Sequence, residues 1–130
     1  MRLLLDTHIA LWWVTADRRL SKSARELIAS ADTHVLVSAA SFWEVAIKAS
    51  LGRIDVDMKD LRTAFQQDGF QEIAVEVPHT LELLNLPDHH RDPFDRLLIA
   101  QSIVEACRLI TADEEILAYA DVQGFDPLPA

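Results

Sequence analysis

Four acidic residues stand where an enzyme could use them together, although they are far apart in the sequence. Asp6 follows the apolar run RLLL, Glu44 lies within ASFWEVAIK, Asp95 lies within RDPFDRLLIAQS, and Asp113 follows RLITA. Carboxylate oxygens that converge in one cleft can hold Mg²⁺ or Mn²⁺, which in turn activates water for hydrolysis. Whether the four act together depends on the elements that carry them.

Two of the acids stand on apolar faces of predicted helices. At 3.6 residues per turn, Asp95 shares a stripe with Leu98 and Ile99, and Glu44 shares one with Ile47. An isolated buried carboxylate is costly or takes up a proton, unless it is paired or bound to a metal. Two carboxylates about 4 Å apart repel by roughly 1 kcal/mol in water and about 4 kcal/mol at an intermediate dielectric. Several acids in one cleft therefore indicate a cation between them.

Each acid also has a local interpretation as part of a helix cap. Glu44 completes a capping box with Ser41, and Asp95 in a first helical turn suits the helix dipole. Asp6 and Asp113 both stand where an N-cap is expected. Capping is the simpler interpretation for any single acid, and only the set of four favours a metal site.

The segments that carry these acids follow an α/β pattern, because short apolar runs alternate with amphipathic stretches. Predicted strands lie at Arg2–Leu5, His34–Val37, Glu72–Val77 and Arg108–Ile110, with a weak last one near Val122. Predicted helices lie at Thr7–Val14, Ser21–Ser30, Ala39–Leu51, Met58–Gln67, His79–Leu84, Pro93–Ala106 and Asp113–Tyr119. The tail GFDPLPA is predicted to be irregular. A mostly parallel sheet would bring the four acids to one crevice, at the carboxyl ends of its strands.

Composition limits the class of protein. The 130 residues, half of them hydrophobic, fit a single domain over 1–130 without a linker or repeat. No stretch is apolar for long enough to span a membrane, no signal-peptide pattern opens the chain, and Cys107 is the only cysteine. We therefore expect a cytoplasmic protein with a buried thiol. The net charge of −9 argues against a protein that coats nucleic acid non-specifically.

A cation held by these acids would activate water for in-line hydrolysis of a phosphodiester, so a nucleic-acid backbone is the expected substrate. Basic side chains near the acids would then contact phosphates. Lys48, one turn beyond Glu44, and Arg96, beside Asp95, are the best placed. Further candidates are Arg18, Arg19, Lys22, Arg53 and Arg91.

Four fragments of the chain carry a resemblance to a known family. LLLDTHIALWW, VSAASFWEVAIKASLGRI, DPFDRLLIAQS and LITADEEI resemble, in order and spacing, PIN-domain ribonucleases, and more narrowly the VapC-type toxins of toxin–antitoxin pairs. The resemblance implies a three-layer α/β/α sandwich with a mostly parallel sheet of about five strands. It also implies a Mg²⁺- or Mn²⁺-dependent endoribonuclease whose catalytic and metal-binding acids are Asp6, Glu44, Asp95 and Asp113.

The resemblance has further implications for support and for partners. Hydroxyls at Thr7 and Thr111 would support the metal water, although both also suit local capping, and Asp92 before Pro93 is predicted to be a cap. Similar toxins form homodimers and are silenced by an antitoxin that lies across the active-site groove. The negative charge suits such a basic partner. Trp12, Trp13, Phe42 and Trp43 have two interpretations, as an aromatic groove for that partner or as part of the core.

Other classes of protein fit less well. A phospho-acceptor receiver domain has paired acids after its first strand, where only Asp6 is present. A haloacid-dehalogenase-type phosphatase needs an aspartate where this chain has His8. A zinc site from His89, His90 and Asp92 lacks another well-spaced ligand. The remaining alternative is a non-catalytic PIN-like module that binds RNA or protein without cutting; the loss of one acid would favour it, and none is lost.

Overall fold

A five-stranded parallel sheet runs through the middle of the computed structural model, which describes residues 1–130. The strands are β1 (Arg2–Leu5), β2 (His34–Ser38), β3 (Gln71–Ile73), β4 (Arg108–Thr111) and β5 (Pro127–Pro129). Their order across the sheet is β3-β2-β1-β4-β5, and every neighbouring pair is parallel. The order therefore reverses direction between β1 and β4, and the carboxyl ends of these two strands border the crevice where ligands bind in such sheets.

Seven α-helices connect the strands and cover both faces of the sheet. They are α1 (Thr7–Val14), α2 (Lys22–Ala29), α3 (Ala39–Ser50), α4 (Met58–Gln67), α5 (Val77–Glu82), α6 (Pro93–Val104) and α7 (Glu114–Leu117), and a short 3₁₀ helix spans Leu83–Asn85. All seven predicted helices are present, with ends that differ by a few residues. No helix is long and apolar enough to cross a membrane.

Alternation along the strands divides the core into two layers. Leu3 and Leu5 of β1 face a cluster with residues of α1, α2 and α4, whereas Leu4 faces a cluster with residues of α6 and α7. All three leucines are fully buried, as expected for a sheet that helices cover on both sides. The three-layer α/β/α sandwich expected from the sequence is confirmed.

The helix starts show which local signals the sequence carried. Asp92 accepts hydrogen bonds from the backbone N–H groups of Phe94 and Asp95, so its predicted role as the cap of α6 is confirmed. The capping box predicted from Ser41 and Glu44 is wrong. Helix α3 begins earlier, and Ser38 at the end of β2 caps it by accepting from the Ala40 N–H.

The last two strands differ from their predictions. β3 ends at Ile73 because the chain then leaves the sheet, and Glu76 already stands at the N-cap of α5. The strand predicted near Val122 is wrong, and so is the irregular tail: β5 pairs with β4 at Pro127–Pro129. A proline cannot donate to a ladder, but it is tolerated in an edge strand, where one side has no partner. The predicted burial of Cys107 is confirmed, and burial raises the pKa of its thiol to about 11.

Candidate metal centre

The four acids named from the sequence come together at the carboxyl end of the sheet. Asp6 follows β1 directly, Asp113 is the N-cap of α7 beyond β4, Glu44 projects from α3, and Asp95 lies in the first turn of α6. Asp6 is close enough to Glu44, Asp113 and Asp95 for its negative charge to repel theirs. Four segments separated by up to about a hundred residues therefore supply one acidic cluster.

Asp6 is the deepest of these acids, with 2% of its surface exposed. The Thr111 hydroxyl donates to its Oδ2 at 2.9 Å, and the same hydroxyl accepts from the Asp113 N–H at 3.0 Å. Oδ1 of Asp6 has no hydrogen-bond partner. Asp6 occupies the N-cap position of α1 without making a capping bond, so the capping interpretation does not explain it. Burial raises the pKa of its carboxyl group, the Thr111 hydrogen bond lowers it, and the net shift is upward.

Glu44 is likewise buried, with 4% of its surface exposed, and only one of its two carboxylate oxygens has a hydrogen-bond partner. Its Oε2 accepts from Lys48 Nζ at 2.8 Å, one helical turn away, while Oε1 has no partner. Thr7 does not contact an acid: its hydroxyl donates to Ser41 Oγ at 2.8 Å and so links α1 to α3. The two threonines predicted to support the site therefore have different roles. Thr111 forms hydrogen bonds with Asp6 and Asp113, whereas Thr7 links α1 to α3.

Asp95 also departs from ordinary acid chemistry. It is 7% exposed, and burial raises the pKa of its carboxyl group to about 7. The charges of Asp6, Asp92 and Glu44 act in the same direction, and the hydrogen bond from His90 opposes them. A carboxylate in this position gains most from a cation, because a cation offsets both the desolvation and the repulsion.

His90 belongs to this site, although its sequence context indicated only a zinc site that lacks another well-spaced ligand. Its Nε2 lies 2.7 Å from Asp95 Oδ2, and its Nδ1 lies 2.5 Å from Glu115 Oε2. Burial acts to lower the pKa of His90, but the hydrogen bond and the charges of Asp95, Glu115 and Asp113 raise it overall. The sequence indicates this role only weakly, through a histidine that lies five residues before the acid in the first turn of a helix.

The zinc site considered from the sequence does not form. The His89 ring packs edge-on against Tyr119, and Asp92 is used as the cap of α6. His90 alone turns towards the acids.

The structure corrects the expectation for Arg96. Its guanidinium donates to the Pro87 carbonyl at 2.9 Å and to the Tyr119 hydroxyl at 3.0 Å, and so fastens the loop before α6. Neighbouring residues on a helix point about 100° apart, so Arg96 and Asp95 cannot face the same side. Lys48 remains beside the acids, bound to Glu44.

The predicted aromatic groove is present only in part. Trp13 packs against Phe70, Phe42 packs against Phe65, and Trp12 lies under the Arg19 guanidinium. Trp43, by contrast, is 60% exposed and contacts Phe94 of α6 at a ring-centroid distance of 5.0 Å. Trp13 and Phe42 therefore pack against the core, whereas Trp12 also borders a cavity at the acidic site. Trp43 offers an exposed apolar surface where α3 contacts α6.

The donor set fits a divalent cation. Two buried carboxylate oxygens, Asp6 Oδ1 and Glu44 Oε1, have no partner, although buried polar atoms are normally satisfied. One ligand atom from each of His90, Asp95 and Asp113 lies within 4.8 Å of the other two. Carboxylate-rich sets of this kind suit Mg²⁺ and Mn²⁺.

Comparison with known proteins identifies relatives of this chain. The family model of the PIN domain matches residues 3–122. The chain is 31% identical over 118 residues to Ribonuclease VapC22 of Mycobacterium tuberculosis. The aligned region covers 89% of this chain and 90% of that protein.

Solved structures share the fold at low sequence identity. VapBC2 from Rickettsia felis, bound to a DNA fragment from its promoter, has a TM-score of 0.71 at 14% identity and covers 99% of this chain and 98% of that chain. A toxin–antitoxin complex from Klebsiella pneumoniae has a TM-score of 0.64 at 20% identity, with coverage of 95% and 94%.

Proposed function

The chain belongs to the PIN-domain family and is a ribonuclease toxin of the VapC type, and we propose that it cuts RNA with a divalent cation held by its four converging acids. The observation that carries this proposal is the pair of buried carboxylate oxygens, one on Asp6 and one on Glu44, that have no hydrogen-bond partner. A fold accepts such a cost where a ligand relieves it.

The acids lie at different depths in the site. Asp6 and Glu44, at 2% and 4% exposed, form the floor, while the half-buried Asp113 lies at the rim. When bound, Mg²⁺ or Mn²⁺ would polarise a phosphoryl oxygen and lower the pKa of a water ligand. The Thr111 hydroxyl keeps the Asp6 carboxylate oriented, so that Oδ1 stays free for the ion.

Lys48 is the basic side chain best placed to contact RNA. It pairs with Glu44 at 2.8 Å, and its side chain is 31% exposed. Once a cation neutralises Glu44, the ammonium group can move by a rotamer change towards a substrate phosphate. Because the chain as a whole carries a net charge of −9, such local contacts must replace a broad basic surface.

We also propose the partners of this toxin. A cognate antitoxin would cover the acids with a basic side chain and pack apolar residues against Trp43. Trp43 is exposed where α3 contacts α6, the two helices that carry Glu44 and Asp95. A homodimer and a cytoplasmic location belong to the same proposal, with residues 1–130 acting as one PIN domain.

The test is RNA cleavage by purified protein with Mg²⁺ or Mn²⁺, with chelator, and with an Asp95→Asn variant prepared identically. We expect cleavage that needs the metal and is lost in the variant. Glu114→Gln is a matched control, because Glu114 is an exposed acid of α7 next to Asp113. Equal cleavage by the parent and by Asp95→Asn would contradict the proposal. Metal binding and RNA binding without cleavage on any RNA would favour the non-catalytic module.

A further inference from the structure

We propose that His90 supplies a nitrogen ligand to the cation at this site, so that the centre is a mixed imidazole–carboxylate site and not a carboxylate-only one. The inference rests on the proposed function, since it concerns the same cation. It goes further because it adds a residue outside the set of four acids and predicts which metals the protein prefers.

The first support is the position of the imidazole among the acids. His90 Nε2 lies 2.7 Å from Asp95 Oδ2. One ligand atom from each of His90, Asp95 and Asp113 lies within 4.8 Å of the other two. An octahedral ion with bonds of about 2.1 Å places adjacent ligand atoms roughly 3 Å apart and opposite ones roughly 4.2 Å apart. The three atoms therefore need only small shifts to share one ion.

The second support is the other side of the same ring. Nδ1 of His90 lies 2.5 Å from Glu115 Oε2. A histidine that binds a metal usually donates its second N–H to a carboxylate, which fixes the tautomer and makes the ligating nitrogen more basic. Glu115 holds Nδ1 in this way. Nε2 donates its N–H to Asp95 in this structure, and metal binding would release that proton.

The third support is that the loop is held in place without help from the imidazole. The Tyr119 hydroxyl accepts from the backbone N–H groups of His89 and His90, at 3.1 and 2.8 Å, and the Tyr119 side chain is fully buried. Arg96 fastens the same loop through the Pro87 carbonyl. The His90 side chain is thus positioned by the fold, and replacing it should leave the loop in place.

The acids themselves point to a ligand independently of His90. Asp6 Oδ1 and Glu44 Oε1 are buried atoms without partners, and the two carboxylates are close enough for their charges to repel. A nitrogen ligand at the rim, above such a carboxylate floor, changes the metal preference. Imidazole suits transition metals, whereas Mg²⁺ prefers oxygen alone. We therefore expect Mn²⁺ to bind more tightly than Mg²⁺, and His90→Gln to narrow that difference.

The test is pulsed electron paramagnetic resonance of Mn²⁺ bound to the full chain, which detects coupling to a directly bound ¹⁴N nucleus. The parent should show this coupling. His90→Gln should still bind Mn²⁺, but without the coupling and with an affinity at least about 10-fold lower than that of the parent. His89→Gln and His8→Gln are the controls. His89 packs on Tyr119, and His8 is the other histidine near Asp6, so both variants should keep the coupling.

The outcomes separate this inference from the proposed function. Mn²⁺ bound without ¹⁴N coupling in the parent would overturn the role of His90 and leave the carboxylate site standing. Coupling that survives His90→Gln but disappears in His8→Gln would also overturn it. No Mn²⁺ binding by the parent would overturn both proposals. Glu115→Gln should keep the coupling and weaken Mn²⁺ binding by about 10-fold to 100-fold.

Discussion

Acidic residues at the two ends of the sheet differ in burial and in hydrogen bonding. At the carboxyl ends of the strands, Asp6 and Glu44 are almost fully buried, and each keeps one oxygen without a partner. At the amino ends of β2 and β3, Asp68 is exposed and accepts from the Trp13 indole at 2.9 Å. The first arrangement costs stability in the absence of a ligand, and the second costs nothing.

Cavity size would have suggested the wrong end. The cavity beside Asp68 holds about 580 Å³, whereas the one bordered by Asp6, Trp12 and Asp113 holds about 240 Å³. The larger cavity is bordered by the turn before β2 and the turn before β3, and its Asp68 already accepts a hydrogen bond from Trp13. Unrelieved charge, and not volume, distinguishes the functional end, because perturbed ionisable groups cluster where chemistry is done.

The largest expected effect is on catalysis. Asp6→Asn and Asp95→Asn should each lower metal-dependent RNA cleavage by at least about 10³-fold, equivalent to roughly 4 kcal/mol of barrier, because each removes a charged metal ligand. Asp68→Asn, at the opposite end of the sheet, should cleave like the parent. Cleavage rates under single-turnover conditions measure the difference. A loss in Asp68→Asn equal to that in Asp95→Asn would erase the contrast between the two ends.

The next effect is on stability as the pH changes. The folded protein holds a proton on Asp95 up to a pKa of about 7, well above the value of 3.8 for an ordinary aspartate. Because the folded state binds more protons than the unfolded state between these values, the free energy of unfolding falls as the pH rises through this window. The loss from this group should be on the order of 4 kcal/mol.

Thermal unfolding of the metal-free protein from pH 4 to pH 8 measures this effect. Asp6 and His90 also have raised pKa values, and both contribute in the same direction. Asp95→Asn should be the more stable protein at pH 8 and should show a flatter dependence on pH. An Asp95→Asn protein with the same pH dependence as the parent would remove Asp95 as its source.

A bound metal should reverse this instability. At a free Mn²⁺ concentration of 100 times the Kd, binding to the folded state alone stabilises the protein by about 2.7 kcal/mol. The melting temperature of the parent should therefore rise with Mn²⁺ at pH 8. The rise should be much smaller in Asp95→Asn and unchanged in Asp68→Asn. An equal rise in all three would mean that Mn²⁺ binds elsewhere.

The smallest expected effect tests the support of one acid. Thr111→Val removes the hydrogen bond to Asp6 Oδ2 and should weaken Mn²⁺ binding by about 10-fold, whereas Thr111→Ser should restore it. Thr7→Val is the matched control, because Thr7 contacts Ser41 and no acid. Titration calorimetry measures the affinities. A loss in Thr7→Val as large as that in Thr111→Val would show a general packing effect.

The strand and helix pattern was enough to predict where the acids come from. Asp6 and Asp113 follow short apolar runs typical of buried strands, and a parallel sheet leaves little freedom in where the carboxyl ends of those strands meet. The position of Asp95 on the apolar stripe of its helix likewise predicted its burial. These features depend on periodicity, which the sequence carries directly.

Features that depend on tertiary contacts were not predictable in this way. His90 lies in a loop that Tyr119, 29 residues away, and Arg96 hold against the acids. Arg96 was misjudged because sequence proximity to Asp95 says nothing about direction around the helix. β5 was missed because its two prolines oppose strand formation, and only its pairing with β4 makes a strand of it. The homodimer and the cytoplasmic location stay predictions.

Diffraction from a crystal soaked in Mn²⁺, recorded where manganese scatters anomalously, would locate the ion itself. We predict an anomalous peak between the Asp6 and Asp95 carboxylates, at bonding distance of about 2.1–2.3 Å from their oxygens. A peak only at the opposite end of the sheet, or no peak at saturating Mn²⁺ with Asp6 Oδ1 still without a partner, would contradict the assignment of the carboxyl end as the metal centre.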